Sequence, residues 1–341
     1  MEQRILGRTG VPVSKLCLGA MMFGAWGTKD HEESIRIIHR ALDAGIDFID
    51  TADVYSDGES EEIVGKALAG RRDDVFLATK VGFPMGDDPH RRGASRRRIL
   101  RGVEDSLRRL GTDWIDLYQV HRPDPKTDID ETLGALSDLV HEGKIRYFGH
   151  STFPASEIVE AQWTARERGR ETFRCEQPPY SVLTRAIEHD VLPTCERYGI
   201  GVISYSPLSG GWLSGRYREG GENAGPQSPA RQKLANRFDL ELAENQRKLA
   251  AAEALSDLAD DAGVTLIELS IAFVLRHPAI TAAIIGPRTM EHLESQLGAA
   301  EVELSDDVLD RIDEIVAPST TINPADNGWT SPTLAPAARR R

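Results

Sequence analysis

Eight short runs rich in apolar, β-branched or aromatic residues recur along the chain, at 16–19, 46–50, 75–81, 114–121, 145–150, 173–177, 201–205 and 281–286. Each has the length of a β-strand. Helical periodicity fills most of the gaps between them. Ile35, Ile38 and Leu42 are spaced three and four apart, introduced by Asp30 with Glu33 as a capping box and closed by Gly45. Ser60 is placed to cap the next helix, which ends at Gly70. Further helices are expected over 96–110, 129–142, 155–168, 190–198, 245–262 and 266–276, and a last one from Glu291 onward. Parallel neighbours need a crossover connection that helices supply, so the alternation implies a parallel sheet. Eight units are the number that closes a (β/α)8 TIM barrel.

A barrel of this type takes ~250 residues, and the surplus in this 341-residue chain has identifiable places. These are the leading turn Gly7-Arg8-Thr9-Gly10, the loop 84–93, the Gly/Pro/Ser-rich stretch 209–236 and the tail after Val316. None resembles a second domain. The expected organisation is one barrel over 1–316 with a partly ordered tail over 317–341, where Pro318, Pro324, Pro332 and Pro336 oppose a regular helix.

A net charge of −13 lowers the expectation of nucleic-acid binding, which relies on basic patches. No run approaches the ~18 apolar residues of a membrane span. Met1-Glu2-Gln3-Arg4-Ile5 lacks the basic-then-apolar pattern of a signal peptide, so the expected location is the cytoplasm. Cys17, Cys175 and Cys195 are odd in number and not closely paired, which points to buried small hydrophobes. The arginine-rich stretch from Arg91 to Arg109, including Arg96, Arg97, Arg98 and Arg101, carries Glu104 and Asp105 among its bases and reads as a solvated helix face. No metal site is expected, since no H-E-x-x-H or comparable ligand spacing occurs. Residues 149–153 lack the final glycine of a nucleophile elbow.

Reactions in such barrels occur at the C-terminal ends of the strands. Reading those ends in order gives Asp50, Lys80, His121, Ser151, Gln177 and Tyr205, six consecutive polar groups. Capping alone does not account for six. The stretches Phe48-Ile49-Asp50-Thr51-Ala52-Asp53-Val54-Tyr55, Phe76-Leu77-Ala78-Thr79-Lys80-Val81 and Ile115-Asp116-Leu117-Tyr118-Gln119-Val120-His121 carry a resemblance to the aldo-keto reductase superfamily. Glu176-Gln177, Tyr205-Ser206-Pro207-Leu208 and Ile285-Gly286-Pro287-Arg288 follow in that superfamily's order. The resemblance spans nearly the whole chain. It implies an NAD(P)H-dependent barrel enzyme that reduces aldehydes or ketones, with Asp50, Tyr55, Lys80 and His121 as its catalytic tetrad.

The chemistry of that tetrad is coherent. Carbonyl reduction needs a hydride, a proton for the developing alkoxide and a positive field near the oxygen. Tyr55 supplies the proton. A lysine ammonium ~4 Å away at an effective dielectric of ~20 is worth up to ~4 kcal/mol, enough on its own to bring a phenol of ordinary pKa ~10 toward neutrality. Asp50 would keep Lys80 charged, and His121 would donate to the carbonyl oxygen and orient the substrate. His150, ending the next strand, is as well suited to packing as to the rim of the pocket.

No G-x-G-x-x-G follows a strand and no Walker loop is present, so neither a doubly wound dinucleotide fold nor a triphosphate site is indicated. The resemblance implies that Ser151 and Gln177 hydrogen-bond the nicotinamide carboxamide and that Tyr205 stacks on its ring. It further implies that Ser206 and Leu208 continue a pyrophosphate-binding stretch and that Arg216 occupies a phosphate-binding position. Thr152 stands where the family often has asparagine, which weakens or reroutes the second carboxamide contact. Gly286 and Arg288 precede a helix carrying Glu291, His292 and Gln296. Free amides, the helix dipole and a guanidinium together attract an anion, and the 2′-phosphate of NADPH is the expected ligand.

Trp26, Phe83 and Trp329 are candidates to wall the substrate pocket, because specificity in barrels resides in the loops. The late-loop pattern resembles the branch of potassium-channel β subunits, sugar-aldehyde reductases and deoxysugar reductases. Three functions follow. The first is a reductase of small aldehydes, ketones or sugars using NADPH. The second is a keto-deoxysugar nucleotide reductase, with Arg122, Arg185 and Arg231 as candidate cations for the diphosphate. The third is a slow-turnover, cofactor-binding regulatory subunit, against which His121 argues, since the channel-associated relatives commonly have asparagine there. Oligomerisation is possible, but the outer helices do not disclose it.

Overall fold

The computed structural model describes residues 1–217, 234–334 and 336–339. It opens with an antiparallel hairpin of β1 (Gln3–Ile5) and β2 (Pro12–Ser14). The remaining strands are β3 (Leu16–Gly19), β4 (Phe48–Asp50), β5 (Phe76–Val81), β6 (Ile115–Val120), β7 (Ile145–His150), β8 (Cys175–Glu176), β9 (Gly201–Ser204) and β10 (Ile280–Ile285). These eight close on themselves in the order β10-β3-β4-β5-β6-β7-β8-β9, every pairing parallel. The protein is a (β/α)8 barrel. All eight expected runs became its strands, with ends moved by one or two residues at most sites.

The helices are α1 (His31–Asp43), α2 (Glu59–Ala67), α3 (Arg96–Leu110), α4 (Ile129–His141), α5 (Ala155–Arg168), α6 (Val191–Tyr198), α7 (Ala243–Ala262), α8 (Leu266–Arg276), α9 (Met290–Leu297) and α10 (Asp306–Ile315). Three expectations about their ends are corrected. Asp30 accepts from the Glu33 backbone N–H, but the Glu33 carboxylate bonds Arg36, so only half of the capping box forms. Gly58 precedes α2 with φ +98°, a left-handed turn suited to glycine, while the buried Ser60 hydroxyl bonds the Ala20 carbonyl at 2.8 Å and Thr51 at 3.0 Å. Ser60 thus ties loop to barrel instead of capping. The helix expected from Glu291 onward stops at Leu297, and α10 follows after Ser305, whose side chain caps it.

Side chains alternate between the two faces of each strand, and this sorts the core into two parts. Outward-facing residues such as Leu18, Ile49, Leu77, Tyr118 and Phe148 are buried under the helices. Inward-facing Cys17, Phe48, Ala78, Leu117, Cys175, Ile203 and Ala282 fill the barrel, and Leu6 and Val13 of the hairpin close its lower end. The three cysteines are free and buried, with burial holding their thiols well above the ordinary range. Continuing each inward row upward reaches Asp50, Lys80, Gln119, Gln177 and Tyr205, so the apolar plug gives way to a polar upper layer. The fold positions the site by this parity.

The tail is docked beyond Val316. The Arg185 amide donates to the Thr320 carbonyl at 2.8 Å, and Asp326 is buried between Arg237, at 2.5 Å, and Lys248, at 2.7 Å. No described helix is long and apolar enough to cross a membrane.

Candidate active site

Three neighbouring strand ends bring the expected tetrad together. Asp50 ends β4, Lys80 lies in β5, and His121 follows β6. The backbone after β4 is stitched to β5 by hydrogen bonds from Thr51 N–H to the Ala78 carbonyl at 2.9 Å and from Asp53 N–H to the Lys80 carbonyl at 3.2 Å. This brings Tyr55 over Lys80. The Lys80 ammonium is completely buried, pairs with Asp50, and donates to the Thr51 carbonyl at 2.9 Å and to Tyr55 Oη at 3.3 Å. Gln119 and Gln177 donate to the other Asp50 oxygen at 3.1 and 2.9 Å. Both Asp50 oxygens are therefore engaged.

Burial alone would lower the Lys80 pKa, but Asp50 and Tyr55 outweigh it and raise it above the ordinary value. The ammonium stays charged, as the sequence implies. Tyr55 corrects the expectation. Burial pushes its phenol up, and the opposing pull of Lys80 does not overcome it. Removing the phenolic proton would create a second buried anion beside Asp50, and that cost exceeds the gain from one shared ammonium. His121 lies edge-on to Tyr55 with ring centroids 5.8 Å apart. Burial, with Lys80 and Arg122 adding repulsion, holds it well below the usual histidine value, so the imidazole is neutral. Its Nδ1 is buried without a partner among the described residues. The cluster can offer two neutral donors, a phenol and an imidazole, in the field of one fixed ammonium.

Two aromatic side chains flank this cluster. Trp26 lies 5.9 Å from Tyr55, and Phe83 lies 4.4 Å from His121 in an edge-on contact. Trp329 is half-buried beside Gly328, where an added Cβ would fall 2.1 Å from Tyr205 Oη.

A model of the aldo/keto reductase family matches residues 15–317. The chain belongs to the aldo/keto reductase family. It is 40% identical over 326 residues to the uncharacterized oxidoreductase YrpG of Bacillus subtilis, covering 92% of this chain and 96% of that one. The aldo-keto reductase YhdN of the same organism is 37% identical over 310 residues, with 86% and 87% of the two chains covered. A Schizosaccharomyces pombe protein named "Putative voltage-gated potassium channel subunit beta" is 34% identical over 320 residues, with 92% of each chain covered. The family is the one that the strand-end motifs resembled, and the relatives include a protein of the potassium-channel β-subunit branch that the late-loop pattern resembled. The protein is an oxidoreductase of the carbonyl-reducing type.

In this aldo/keto reductase, the residues expected to hold a cofactor form two groups. Near the tetrad, Ser151 donates to the Gln177 carbonyl at 2.8 Å, and Thr152 lies 3.4 Å from both Ser151 Oγ and Tyr205 Oη. The Gln177 amide nitrogen is directed at Asp50 and at Gln119 Oε1, 3.2 Å away. Farther out, Ser206 and Ser209 hold positive φ values of 60° and 49°, and Ser209 Oγ is buried without a partner among the described residues. Leu208 packs half-buried against the outer core. Beyond Gly286, the Arg288 carbonyl accepts from Thr28 Oγ1 at 2.6 Å. Burial and the neighbouring Arg216 lower the pKa of Arg288, and burial with both arginines lowers that of His292. Gln296 is buried and donates to the His292 carbonyl at 2.6 Å. Arg216 and Arg288 thus bring two like charges together near the start of α9, where a helix N-terminus favours an anion.

Sequence reasoning missed several groups. Gln119 shares the inward parity of His121, and that spacing of two was the available signal. Arg98 and Arg109 are not solvated. Arg98 forms a buried pair with Asp53, and Arg109 donates to the buried Glu61 at 2.7 Å, because the inner side of α3 packs against the loop carrying Tyr55. Burial raises Asp53 to about 6 despite Arg98. His150 proves to be a packing residue, buried against Glu176 and stacked on Phe153 at 4.7 Å. Of the cations considered for a nucleotide diphosphate, Arg185 is engaged by Glu188 at 2.8 Å and Asp313 at 2.7 Å. Arg231 lies outside the described residues.

Proposed function

We propose that the protein reduces the carbonyl of an aldehyde, ketone or sugar to an alcohol with NADPH, and that Tyr55 is the general acid. The observation that carries this reading is the buried chain from Asp50 through Lys80 to the Tyr55 hydroxyl. When bound, NADPH supplies the hydride to the carbonyl carbon. Tyr55 and the neutral His121 donate hydrogen bonds to the carbonyl oxygen and hold it over the ammonium field. As the oxygen gains negative charge it becomes basic enough to take the Tyr55 proton, and Lys80 stabilises the phenolate left behind. A phenol with a raised pKa suits this order, since it gives up its proton only to an alkoxide.

The paired cations Arg216 and Arg288 support NADPH over NADH, because a 2′-phosphate would relieve their mutual repulsion. Ser151 and Thr152 suit the carboxamide, Tyr205 suits the ring face, and the Ser206–Ser209 turn, with its unpartnered Ser209 hydroxyl, suits the pyrophosphate. Gln177, directed at Asp50, orients that carboxylate as well as offering its own oxygen.

The test follows NADPH absorbance with aldehydes, ketoses and keto-deoxysugar nucleotides, beside a Tyr55→Phe variant. Tyr55→Phe is expected to lose about 100-fold or more in kcat while binding NADPH with near-normal affinity. Normal turnover by the variant would remove Tyr55 from the role.

A further inference from the structure

Arg122 follows His121 directly, and its guanidinium lies half-buried among the candidate site residues. It donates to the His121 carbonyl at 2.6 Å, to Ser151 Oγ at 3.0 Å and to Tyr205 Oη at 3.4 Å. The guanidinium carbon lies 5.4 Å from the centre of the Phe83 ring and 5.8 Å from that of Tyr205. Phe83 in turn packs on His121. One aromatic ring therefore touches both the group expected to bind the substrate oxygen and this cation.

Among the described residues the charge of Arg122 has no counterpart. Lys80 is paired with Asp50, Arg98 with Asp53, and Arg109 with Glu61. Among the described residues Arg122 forms no ion pair, and all its hydrogen-bond partners are uncharged. A half-buried guanidinium between two rings is a planar donor fork that matches a carboxylate in two parallel hydrogen bonds. One such cation does not balance a nucleotide diphosphate, and Arg185, the nearest alternative in sequence terms, is already neutralised. The flat apolar walls of Trp26 and Phe83 suit an aryl or short apolar frame.

We propose that Arg122 determines specificity by binding a carboxylate on the carbonyl substrate, so that the enzyme prefers formyl or keto acids over their uncharged counterparts. This rests on the carbonyl-reductase reading above. The position places the carboxylate at the Phe83 side of the pocket, beyond the carbonyl held by Tyr55 and His121. Arg122 takes no part in hydride or proton transfer; it selects and orients.

The experiment compares 4-carboxybenzaldehyde with its methyl ester, which keeps the frame and removes the charge. The wild-type protein is expected to favour the acid in kcat/KM. Arg122→Met is expected to lower the acid-to-ester ratio by about 10-fold or more, with Arg122→Lys recovering part of it. A purely structural role would reduce both substrates alike, and an unchanged ratio overturns the proposal, as does a wild-type preference for the ester. Arg122→Gln, which keeps much of the side chain's bulk and hydrogen bonding, replaces the methionine variant if that fails to fold. A second readout needs no turnover: benzoate is titrated calorimetrically into wild type and variant, with and without NADP+. Binding by wild type that is lost in the variant supports the proposal even if neither aldehyde is reduced, in which case the carbonyl-reductase reading fails alone. Absent or equal benzoate binding sinks the Arg122 assignment alone.

Discussion

The Lys80 ammonium lies 3.3 Å from the Tyr55 hydroxyl while Asp50 and the Thr51 carbonyl hold it from the other side. The acid and its activating charge are therefore not a simple pair. Burial is the main cause that holds the phenol up, and Asp50 adds to it by opposing the pull of Lys80. The arrangement keeps a proton on Tyr55 and a charge on Lys80 over the same pH range.

This has a direct consequence for the pH dependence of reduction. Tyr55 is raised above its ordinary value by burial, so it stays protonated through the alkaline range. His121 is lowered, so it stays neutral down through mildly acidic pH. With NADPH and a neutral aldehyde, kcat/KM is expected to be flat between the ordinary histidine and tyrosine values, about 6.5 to 10. A steady-state profile with an alkaline limb near pH 7 to 8 would show instead that Lys80 dominates the phenol.

Burial and the like charge of Arg216 lower the pKa of Arg288, and under the proposed NADPH reading both arginines contribute to the preference over NADH. Arg288→Ala is expected to reduce the NADPH-to-NADH ratio of kcat/KM by about 10- to 100-fold, the worth of one charge-assisted phosphate contact. Its effect on NADH alone should be small. An unaltered ratio would transfer the phosphate to other residues.

Asp53 supplies a stability prediction with a definite sign. Burial raises its folded-state pKa from 3.8 to about 6. The folded protein thus holds a proton that the unfolded chain has released, and this contribution is complete below about pH 4 and lost as pH rises through about 6. The shift corresponds to about 3 kcal/mol. Asp53→Asn removes the titration, so urea unfolding of wild type and variant from pH 4 to 7 should show wild type losing ground as pH rises. A parallel pair of curves would mean that Arg98 fully compensates the buried carboxylate.

Gly328 places the tail against Tyr205. Its φ of +78° belongs to glycine, and a Cβ there would lie 2.1 Å from Tyr205 Oη. Gly328→Val is expected to displace either the tail or Tyr205 and to raise the dissociation constant for NADPH, read by quenching of protein fluorescence. The left-handed backbone adds roughly 1–2 kcal/mol of strain. Unchanged NADPH affinity would show that the tail at Gly328 does not govern the Tyr205 face.

The barrel is legible in the amino-acid order, because eight apolar runs separated by helical periods admit few other arrangements, and the strand ends name Asp50, Lys80, His121, Ser151, Gln177 and Tyr205 as neighbours. Local pattern carries that much: strand parity and element order are properties of consecutive residues. How far each group is removed from water depends on the packed fold. The Tyr55 phenol moved opposite to the expectation because desolvation depends on everything packed around it, and no spacing in the chain encodes that sum. The same holds for Arg98 and Arg109, which look solvated in a run of arginines until α3 turns them toward Asp53 and Glu61. The placement of Gly328 against Tyr205 joins residues 123 positions apart in sequence, a contact that exists only once the barrel has closed and its tail has docked.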